Sequence, residues 1–293
     1  MVVATTGFFD GVHTGHRTVI DKLCEVARER GAESAVVTFW PHPRNVLRQD
    51  AKYLRLLTSL EEKTELLRQC GVDHIHTIDF TKEFSRLSCE EFLKEYMIGR
   101  LGVSTLIVGY DHRVGNTAYS TDIEATAKKL GLETIKVKSV SDSYNTISST
   151  YIRNLISTGG IVRANGLLGY NYRMKGVVVS GNGLGRQIGF PTANMNLYEP
   201  LKLIPENGVY AVKVYVEGNC HLGVCNIGER PTVNDNRGIV IETHILDFDE
   251  DIYGLDMTLE FFDKLRDEQK FESLDALSAQ LGLDVRQTKS IFA

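Results

Sequence analysis

The sequence predicts an α/β domain built on a parallel sheet, followed by a β-rich domain that ends in a helix. Apolar runs alternate with helical patterns as far as residue 158, the pattern changes to short strands near Tyr172, and helical spacing returns only near the carboxyl end. The 293 residues suffice for two domains of about 150 residues each. We therefore expect domains at 1–158 and 172–293, joined by a glycine-containing segment at 159–171.

In the first domain, strands and helices are predicted to alternate. The strands lie at 1–6, 34–39, 73–78, 104–109 and 133–138, and the helices at 15–30, 59–70, 88–101, 119–130 and 149–157. Glycine follows each of the first four helices as a stop signal, and Ser88 with Glu91 forms a capping box for the third. Because ligands of such sheets bind beyond the carboxyl ends of the strands, polar segments at those ends indicate a site.

In the second domain, the pattern predicts mainly strands. They lie at 174–180, 209–216, 221–227, 239–247 and 257–262, and helical patterns follow at 273–281 and 284–292. Short antiparallel strands followed by a helix are typical of a small barrel or a sandwich.

The composition is that of a soluble globular protein, with 42% hydrophobic and 24% charged residues. A net charge of −5 argues against a broad nucleic-acid surface, and no apolar run approaches the roughly 18 residues of a membrane span. The five scattered cysteines favour free thiols in a reducing compartment. We expect a cytoplasmic protein that binds small molecules, without nucleic acid, membrane or an obligate protein partner.

The segment from Gly7 to His16, Gly-Phe-Phe-Asp-Gly-Val-His-Thr-Gly-His, joins the first strand to the first helix. Its glycines let the backbone approach a ligand, while the helix N-terminus and the imidazoles of His13 and His16 can donate to phosphate. The two histidines could also be half of a zinc site, but no further ligand set accompanies them. The Walker loop and the Gly-x-Gly-x-x-Gly fingerprint are absent, which excludes a Walker ATPase and an ordinary dehydrogenase.

Three more polar segments follow strands of this domain: Thr38 to Pro43, Val108 to Arg113 and Ile147 to Arg153. Within the last segment, the run Ser148-Ser149-Thr150 can cap a helix and bind phosphate at the same time. Arg153, one turn later, can add a bidentate phosphate contact. His42 lies between two prolines and is interpreted as a loop residue that at most lines the site.

The second domain carries a glycine-rich loop, Gly181 to Phe190, that leads into Pro191-Thr192-Ala193-Asn194. On an extended backbone Thr192 and Asn194 point to the same side, where a hydroxyl and an amide oxygen could bind Mg²⁺ and phosphate. Period-two alternation predicts one strand face that carries Val240, Glu242, His244 and Leu246. A carboxylate in such surroundings is either paired for structure or held for proton transfer, and both interpretations stay open.

Together and in this order, the motifs resemble those of the bacterial bifunctional riboflavin kinase/FAD synthetase family over nearly the whole chain. The first four segments are similar to its nucleotidylyltransferase signature and further adenylyltransferase motifs, although His112 and Val114 stand where the family usually has aromatic residues. The segments 189–194, 226–232, 242–248 and 266–271 are similar to its riboflavin kinase module. The resemblance implies a Rossmann-like nucleotidylyltransferase domain of the His-x-Gly-His type, followed by a β-barrel riboflavin kinase domain with a terminal helix.

The resemblance also implies two reactions, phosphorylation of riboflavin to FMN and adenylylation of FMN to FAD with release of pyrophosphate, each with ATP and Mg²⁺. The implied catalytic residues are Glu242 as general base in the kinase domain, and His13, His16 and Arg153 in the N-terminal domain. The N-terminal contacts to ATP and phosphate would be Gly7, Phe8, Phe9, Asp10, Gly11, Gly15, Gly109, Asp111, Ser148, Ser149 and Thr150, with Asn45 a weaker candidate. The flavin and ATP contacts of the kinase domain would be Gly181, Gly183, Gly185, Arg186, Gly189, Pro191, Thr192, Asn194 and Arg266, with Thr192 and Asn194 next to the metal.

Two alternatives from other classes fit less well. A class I aminoacyl-tRNA synthetase shares the His-x-Gly-His device, but it needs a basic tRNA-binding domain and a Lys-Met-Ser-Lys-Ser loop, and the sequence has neither. A flavin sensor that holds FMN without turnover would not require Thr192, Asn194 and Glu242 together.

Overall fold

The structure is a computed structural model that describes residues 1–47, 53–109, 122–138, 146–181, 184–230 and 238–293. The chain divides into two compact units, Met1–Ser149 and Thr150–Ala293. Within the described residues, no helix has both the length and the apolar character needed to cross a membrane.

The first unit contains a parallel five-stranded sheet with the strand order β3-β2-β1-β4-β5. Its strands are Val2–Thr6 (β1), Glu33–Trp40 (β2), His74–Asp79 (β3), Val103–Val108 (β4) and Glu133–Lys136 (β5). Its helices are Thr14–Glu29 (α1), Pro43–Leu47 (α2), Leu60–Gln69 (α3), Cys89–Glu91 (α4), which continues as a π-helix over Phe92–Arg100, and Ile123–Lys129 (α5). The α/β class and the five predicted strands are confirmed.

The central strands of this sheet bury side chains on both faces. Ala4 packs in one core with Phe92 and Leu93, whereas its neighbour Val3 packs in the opposite core with Ile20 of α1. Successive strand residues point to opposite faces, so a strand between two helical layers is apolar throughout. The predicted capping box at Ser88 is present, with both of its hydrogen bonds.

The second unit contains a closed barrel of six antiparallel strands in the order β10-β7-β6-β11-β8-β9. The strands are Arg173–Val179 (β6), Ala193–Leu197 (β7), Gly208–Val216 (β8), Asn219–Arg230 (β9), Gly238–Ile245 (β10) and Asp256–Arg266 (β11). The helices are Ser149–Ser157 (α6), which starts at the last residue of the first unit, Ile161–Leu168 (α7), Leu184–Gln187 (α8) and Leu274–Ile291 (α9). Of the barrel and the sandwich, the barrel is confirmed.

Several elements differ from the sequence pattern, among them the short helices α2 and α8, which were not predicted. β7 was not among the predicted strands because it is short and carries two asparagines, yet it closes the barrel between β6 and β10. α7 lies in the segment expected to be a connection, and it buries four apolar residues on one side: Ile161, Ala164, Leu167 and Leu168. The two predicted terminal helices form one continuous helix, since the expected break at 282–283 is helical.

The surroundings of two glycines in the second unit lead us to expect opposite effects when each is changed to alanine. On β6, a Cβ atom at Gly176 would lie 2.2 Å from the backbone oxygen of Asn196 on β7, so Gly176→Ala should destabilise the unit by roughly 1–3 kcal/mol or more. In α7, a Cβ at Gly166 meets nothing within 4 Å, so Gly166→Ala should stabilise by about 0.5–1 kcal/mol. Urea unfolding midpoints measure both, and a parent-like midpoint for Gly176→Ala would contradict the packing of β6 on β7.

Candidate functional sites

The loop after β1 has an unusual backbone. Phe9, Gly11 and Val12 adopt positive φ angles of 54°, 81° and 37°, a region that disfavours side chains with a Cβ atom. Phe9 and Val12 are buried in the core below the sheet edge, so packing offsets the strain at these two positions. The loop is therefore held in one shape at the carboxyl end of the central strand.

Asp10 fixes this loop from inside. Its buried carboxylate accepts hydrogen bonds from the backbone N–H of Leu57 at 3.0 Å and of Thr58 at 3.1 Å, and from the Thr58 hydroxyl at 3.2 Å. The N–H of Gly11 donates in turn to the Thr58 hydroxyl. The described contacts of Asp10 thus connect the loop to segment 57–58. A carboxylate in this position would repel an anionic ligand, so its described contacts give Asp10 the role of fixing the shape of the loop.

His13 and His16 lie together at the start of α1. His13 is the N-cap residue, and its Nδ1 accepts the backbone N–H of His16 at 3.3 Å while the two rings stack with centroids 3.6 Å apart. Because Nδ1 is the acceptor, a neutral His13 carries its proton on Nε2, where it can be donated. Burial lowers the pKa of His16 well below its ordinary value, and the charges of His13 and Lys63 lower it further. His16 is therefore a neutral donor at physiological pH.

Several of the predicted polar segments meet at this edge. Thr38 donates its hydroxyl to the Phe8 carbonyl at 3.2 Å, and the Phe8 ring lies 6.2 Å from the Trp40 ring and 4.2 Å from that of His42. Ser149 donates to the Asp10 carbonyl at 2.9 Å. One cluster thus contains the segment after β1, the segment after β2 and Ser149, as expected from the parallel sheet.

The other predicted N-terminal residues are distributed as follows. Gly7 donates its N–H to Val37, Gly15 packs against the His13 ring, Gly109 directly follows β4, and Asn45 lies in α2. Thr150 and Arg153 lie in α6 and belong to the second unit, and Ser148 directly precedes that helix. Asp111, His112 and Val114 lie outside the described residues.

Lys63 of α3 is a residue of this edge that sequence reasoning missed. It is fully buried, and its ammonium donates to the Phe8 carbonyl at 3.1 Å, to the Thr38 hydroxyl at 3.0 Å and to the Phe39 carbonyl at 3.4 Å. Burial lowers its pKa to about 8, and the negative charge of Asp10 acts in the opposite direction. Helical spacing could have placed Lys63 on the buried face of α3, because it precedes the buried Leu67 by one helical turn.

In the second unit, a cavity of about 300 Å³ lies between the barrel wall and α9. Five predicted site residues line it: Gly185, Thr192, Asn194, Glu242 and Arg266. The remaining lining residues are Ile188, Phe190, Val209, Val224, Asn226, His244, Glu268, Gln269, Phe271, Leu277 and Leu281. The cavity therefore combines apolar side chains with several polar and charged ones that could orient a small molecule.

The strand register places three polar residues side by side on the wall of this cavity, and we call them the polar row. Glu242 of β10 pairs with Asn194 of β7 on one side and with Asn226 of β9 on the other. Directly opposed residues share a face, whereas the neighbours Ile241 and Thr243 are buried on the opposite face. The predicted alternation on β10 is thus observed, and a carboxylate lies between two carboxamides.

A second cavity of about 290 Å³ shares Thr192 with the first and is lined by Arg186, Pro191 and residues 248–253. His244 of β10 holds the segment between the two cavities, because its Nδ1 lies 2.8 Å from the Pro191 carbonyl oxygen and its ring contacts Phe190.

The glycines of the loop Gly181 to Phe190 lie close to the segment that follows the loop. A Cβ at Gly181 would lie 2.1 Å from the Asn194 side chain, one at Gly185 would lie 2.2 Å from the Phe190 carbonyl, and Gly189 has a φ of +82°. A side chain at Gly181 or Gly185 would force these segments apart, and one at Gly189 would be strained by the positive φ. Gly183 lies outside the described residues.

Arg266 connects the barrel to α9. Its Nε and Nη2 donate to the two carboxylate oxygens of Asp284 at 3.0 and 2.8 Å, and Asp284 is almost fully buried. A bidentate pair of this kind is directional and holds two elements in one geometry. Arg266 thus lines the cavity and also positions the helix that covers it. Asp284 was missed because nothing in the sequence relates two residues that meet only through the fold.

Comparison with known proteins gives one consistent result for both units. The family model for FAD synthetase matches residues 1–151, and that for riboflavin kinase matches residues 168–292. The bifunctional riboflavin kinase/FMN adenylyltransferase of Listeria monocytogenes is 41% identical over 293 residues, which cover 99% of this chain and 92% of that protein. The proteins of the same name from Bacillus subtilis and Escherichia coli K12 are each 36% identical, also over 99% of this chain and 92% of theirs.

One solved structure is similar over almost the whole chain. It is a crystal structure described as a macrolide-efflux protein from Streptococcus pneumoniae, 31% identical, with a TM-score of 0.90 over 98% of this chain and 93% of that one. The two proteins share the fold of both units. The description of that protein differs from those of the family models and the curated relatives.

The buried ammonium of Lys63 predicts an unusual dependence of stability on pH. Below about pH 8 the folded chain bears the full cost of burying the charge, and between about pH 8 and 10.5 only the unfolded chain keeps the proton. The free energy of unfolding of the parent should therefore rise in this window relative to Lys63→Met, by up to about 3 kcal/mol. Calorimetric unfolding of both proteins at several pH values measures the difference. A difference that stays constant or falls with pH would contradict a depressed pKa for Lys63.

Proposed function

The chain belongs to the bifunctional riboflavin kinase/FMN adenylyltransferase family, and from that premise we propose how its residues divide the two reactions. The protein is a transferase that phosphorylates riboflavin to FMN and adenylylates FMN to FAD, with ATP as the second substrate of each step. The FAD synthetase match precedes the riboflavin kinase match along the chain. The observation that carries the residue assignment is the pairing of Glu242 with Asn194 and Asn226 at the cavity of the barrel.

In the kinase reaction, we assign Glu242 as the general base. Its carboxylate would take the proton from the terminal ribityl hydroxyl while that oxygen attacks the γ-phosphorus of ATP, giving FMN and ADP. The cavity beside Glu242 suits riboflavin, because Phe271, Leu277 and Leu281 offer an apolar wall to a flat ring system. ATP would enter from the second cavity, so that its phosphates reach Thr192, which both cavities share.

Thr192 and Asn194 would hold Mg²⁺ together with the ATP phosphates. A hydroxyl and an amide oxygen are hard, uncharged donors, which suit Mg²⁺ when phosphate oxygens supply the negative charge. Among the described residues there is no group of three or more His, Cys, Asp or Glu that could hold a metal on its own. The ion supplies charge neutralisation at the γ-phosphate when it is bound.

In the adenylyl transfer, no general base is needed because the FMN phosphate is already an anion. Its oxygen attacks the α-phosphorus of ATP, and pyrophosphate leaves. The Nε2–H of His13 and the neutral imidazole of His16 would donate to the phosphate in transfer, supported by the N-terminus of α1. Arg153 and the run from Ser148 to Thr150 would hold the leaving pyrophosphate.

We propose functional domains at 1–158 and 172–293, with the segment 159–171 between them. The net charge of −5 and the scattered cysteines support a cytoplasmic enzyme that acts on small molecules without nucleic acid, membrane or an obligate protein partner.

The two activities should be removable separately. Glu242→Gln keeps the shape but removes the base, so phosphorylation of riboflavin should fall by on the order of 10²-fold or more while supplied FMN is still adenylylated. His16→Ala removes a preorganised donor, so FAD formation should fall by roughly 10²–10³-fold while FMN accumulates. Turnover with each flavin at saturating Mg²⁺-ATP measures both effects.

Two exposed residues provide matched controls, Glu217→Gln for the first change and His74→Ala for the second, and both should behave as the parent. A Glu242→Gln protein with intact kinase turnover would refute the base assignment. Parent-like FAD synthesis by His16→Ala would refute the assignment of the N-terminal site.

The metal should arrive mainly with the nucleotide. We expect isothermal calorimetry to detect tight Mg²⁺ binding only when ATP is present, because no group of three or more His, Cys, Asp or Glu among the described residues could hold a metal on its own. Tight binding of Mg²⁺ to the nucleotide-free protein would be the contrary result.

A further inference from the structure

Lys63 carries a buried positive charge, and the hydrogen bonds that the structure describes for it all go to uncharged groups. Within the described residues its three hydrogen bonds go to the Phe8 carbonyl, the Thr38 hydroxyl and the Phe39 carbonyl. An ammonium has three donors, so each of them is engaged. Burying a charge without a directly bonded carboxylate is costly, and a methionine or leucine would fill the same space without that cost. The charge therefore requires an explanation beyond stability.

The contacts of Lys63 place it between the loop after β1 and the end of β2, which together form the edge of the site. Phe8 belongs to the loop after β1, whereas Thr38 and Phe39 belong to the end of β2. The ammonium also lies 4.0 Å from the centroid of the Phe8 ring and 5.5 Å from that of Trp40. Phe8 and Trp40 are half-buried, and together with His42 they form an aromatic group at the sheet edge. One cation thus fixes the backbone and the ring of Phe8 at the same time.

We propose that Lys63 is a positioning residue for adenylyl transfer: it holds the Phe8 loop against the end of β2 and keeps a fixed positive charge behind the phosphate-binding loop. The inference rests on the proposed placement of that reaction at His13 and His16. Lys63 acts through the loop and through its field, because its donors are already engaged. A positive charge in a dry interior acts strongly on nearby anions, and both the ATP phosphates and the FMN phosphate are anionic.

The charge state of Lys63 gives this role a measurable signature. Among the described residues, two charged or titratable groups face it from other elements, Asp10 from the loop after β1 and His16 from α1. β2 presents the uncharged Thr38 hydroxyl and Phe39 carbonyl, and on its own helix Glu62 is engaged in the capping box with Ser59. The pKa of Lys63 is lowered to about 8, mainly by burial. FAD formation should therefore fall as the pH rises through about 8, where the ammonium loses its charge.

The test compares Lys63→Met, Lys63→Arg and the control Lys22→Met, which changes a half-buried surface lysine of α1 that pairs with Glu25. FAD formation from supplied FMN is followed between about pH 6.5 and 9.5, and riboflavin phosphorylation in the same preparations reports the integrity of the second unit. We expect Lys63→Met to lower kcat for FAD formation at least about tenfold at pH 7 and to abolish the fall above pH 8. Lys63→Arg should restore most of the turnover and move the fall to higher pH, because arginine stays charged.

A parent-like kcat for Lys63→Met at pH 7 would overturn the inference, and so would a fall near pH 8 that persists in Lys63→Arg. If Lys63→Met fails to fold, the shift of the pH profile in Lys63→Arg decides alone. His16→Ala separates this inference from the proposed function. An active His16→Ala would refute the site itself, whereas an inactive His16→Ala beside a parent-like Lys63→Met would refute only the role of Lys63.

Discussion

The first unit depends on the hydrogen bonds between the Asp10 carboxylate and the backbone of Leu57 and Thr58. The loop after β1 must hold Phe9 and Val12 at positive φ, and such a backbone persists only where its surroundings determine it. Asp10 fixes the loop from inside. Through that loop the first turn of α1 and its two histidines are brought to the carboxyl end of the central strand.

The barrel reaches a comparable result by strand register alone. Glu242 lies between Asn194 and Asn226 because β10 pairs with β7 and β9, and a shift of β10 by one residue would turn Glu242 to the other face, away from both asparagines. The helix α9, which covers the cavity beside this row, is held separately by the ion pair of Arg266 with Asp284. The polar row is thus built into the hydrogen-bonded wall of the barrel, whereas the loop and helix that enclose it are attached by a few directional contacts.

The sequence predicted those features that depend on local patterns. Apolar runs marked the five strands of the first sheet, and alternation marked the face of Glu242, because both follow from the side-chain period of a strand. The strand β7 was missed since it is short and carries two asparagines, one of which, Asn194, lines the cavity. Lys63 and Asp284 were missed for another reason. Each is a charged residue in a buried helical position, and its hydrogen-bond partners become apparent only in the folded structure. The roles of the individual site residues stay predictions.

The central claim is that two different phosphorus atoms of ATP react at two separately built sites. The most direct measurement supplies riboflavin with ATP labelled either at the γ- or at the α-phosphate and separates the flavins by chromatography over time. The account predicts that the γ-label enters FMN first and then appears in FAD, whereas the α-label enters FAD alone. An α-label in FMN, or FAD formed without the γ-label, would contradict it.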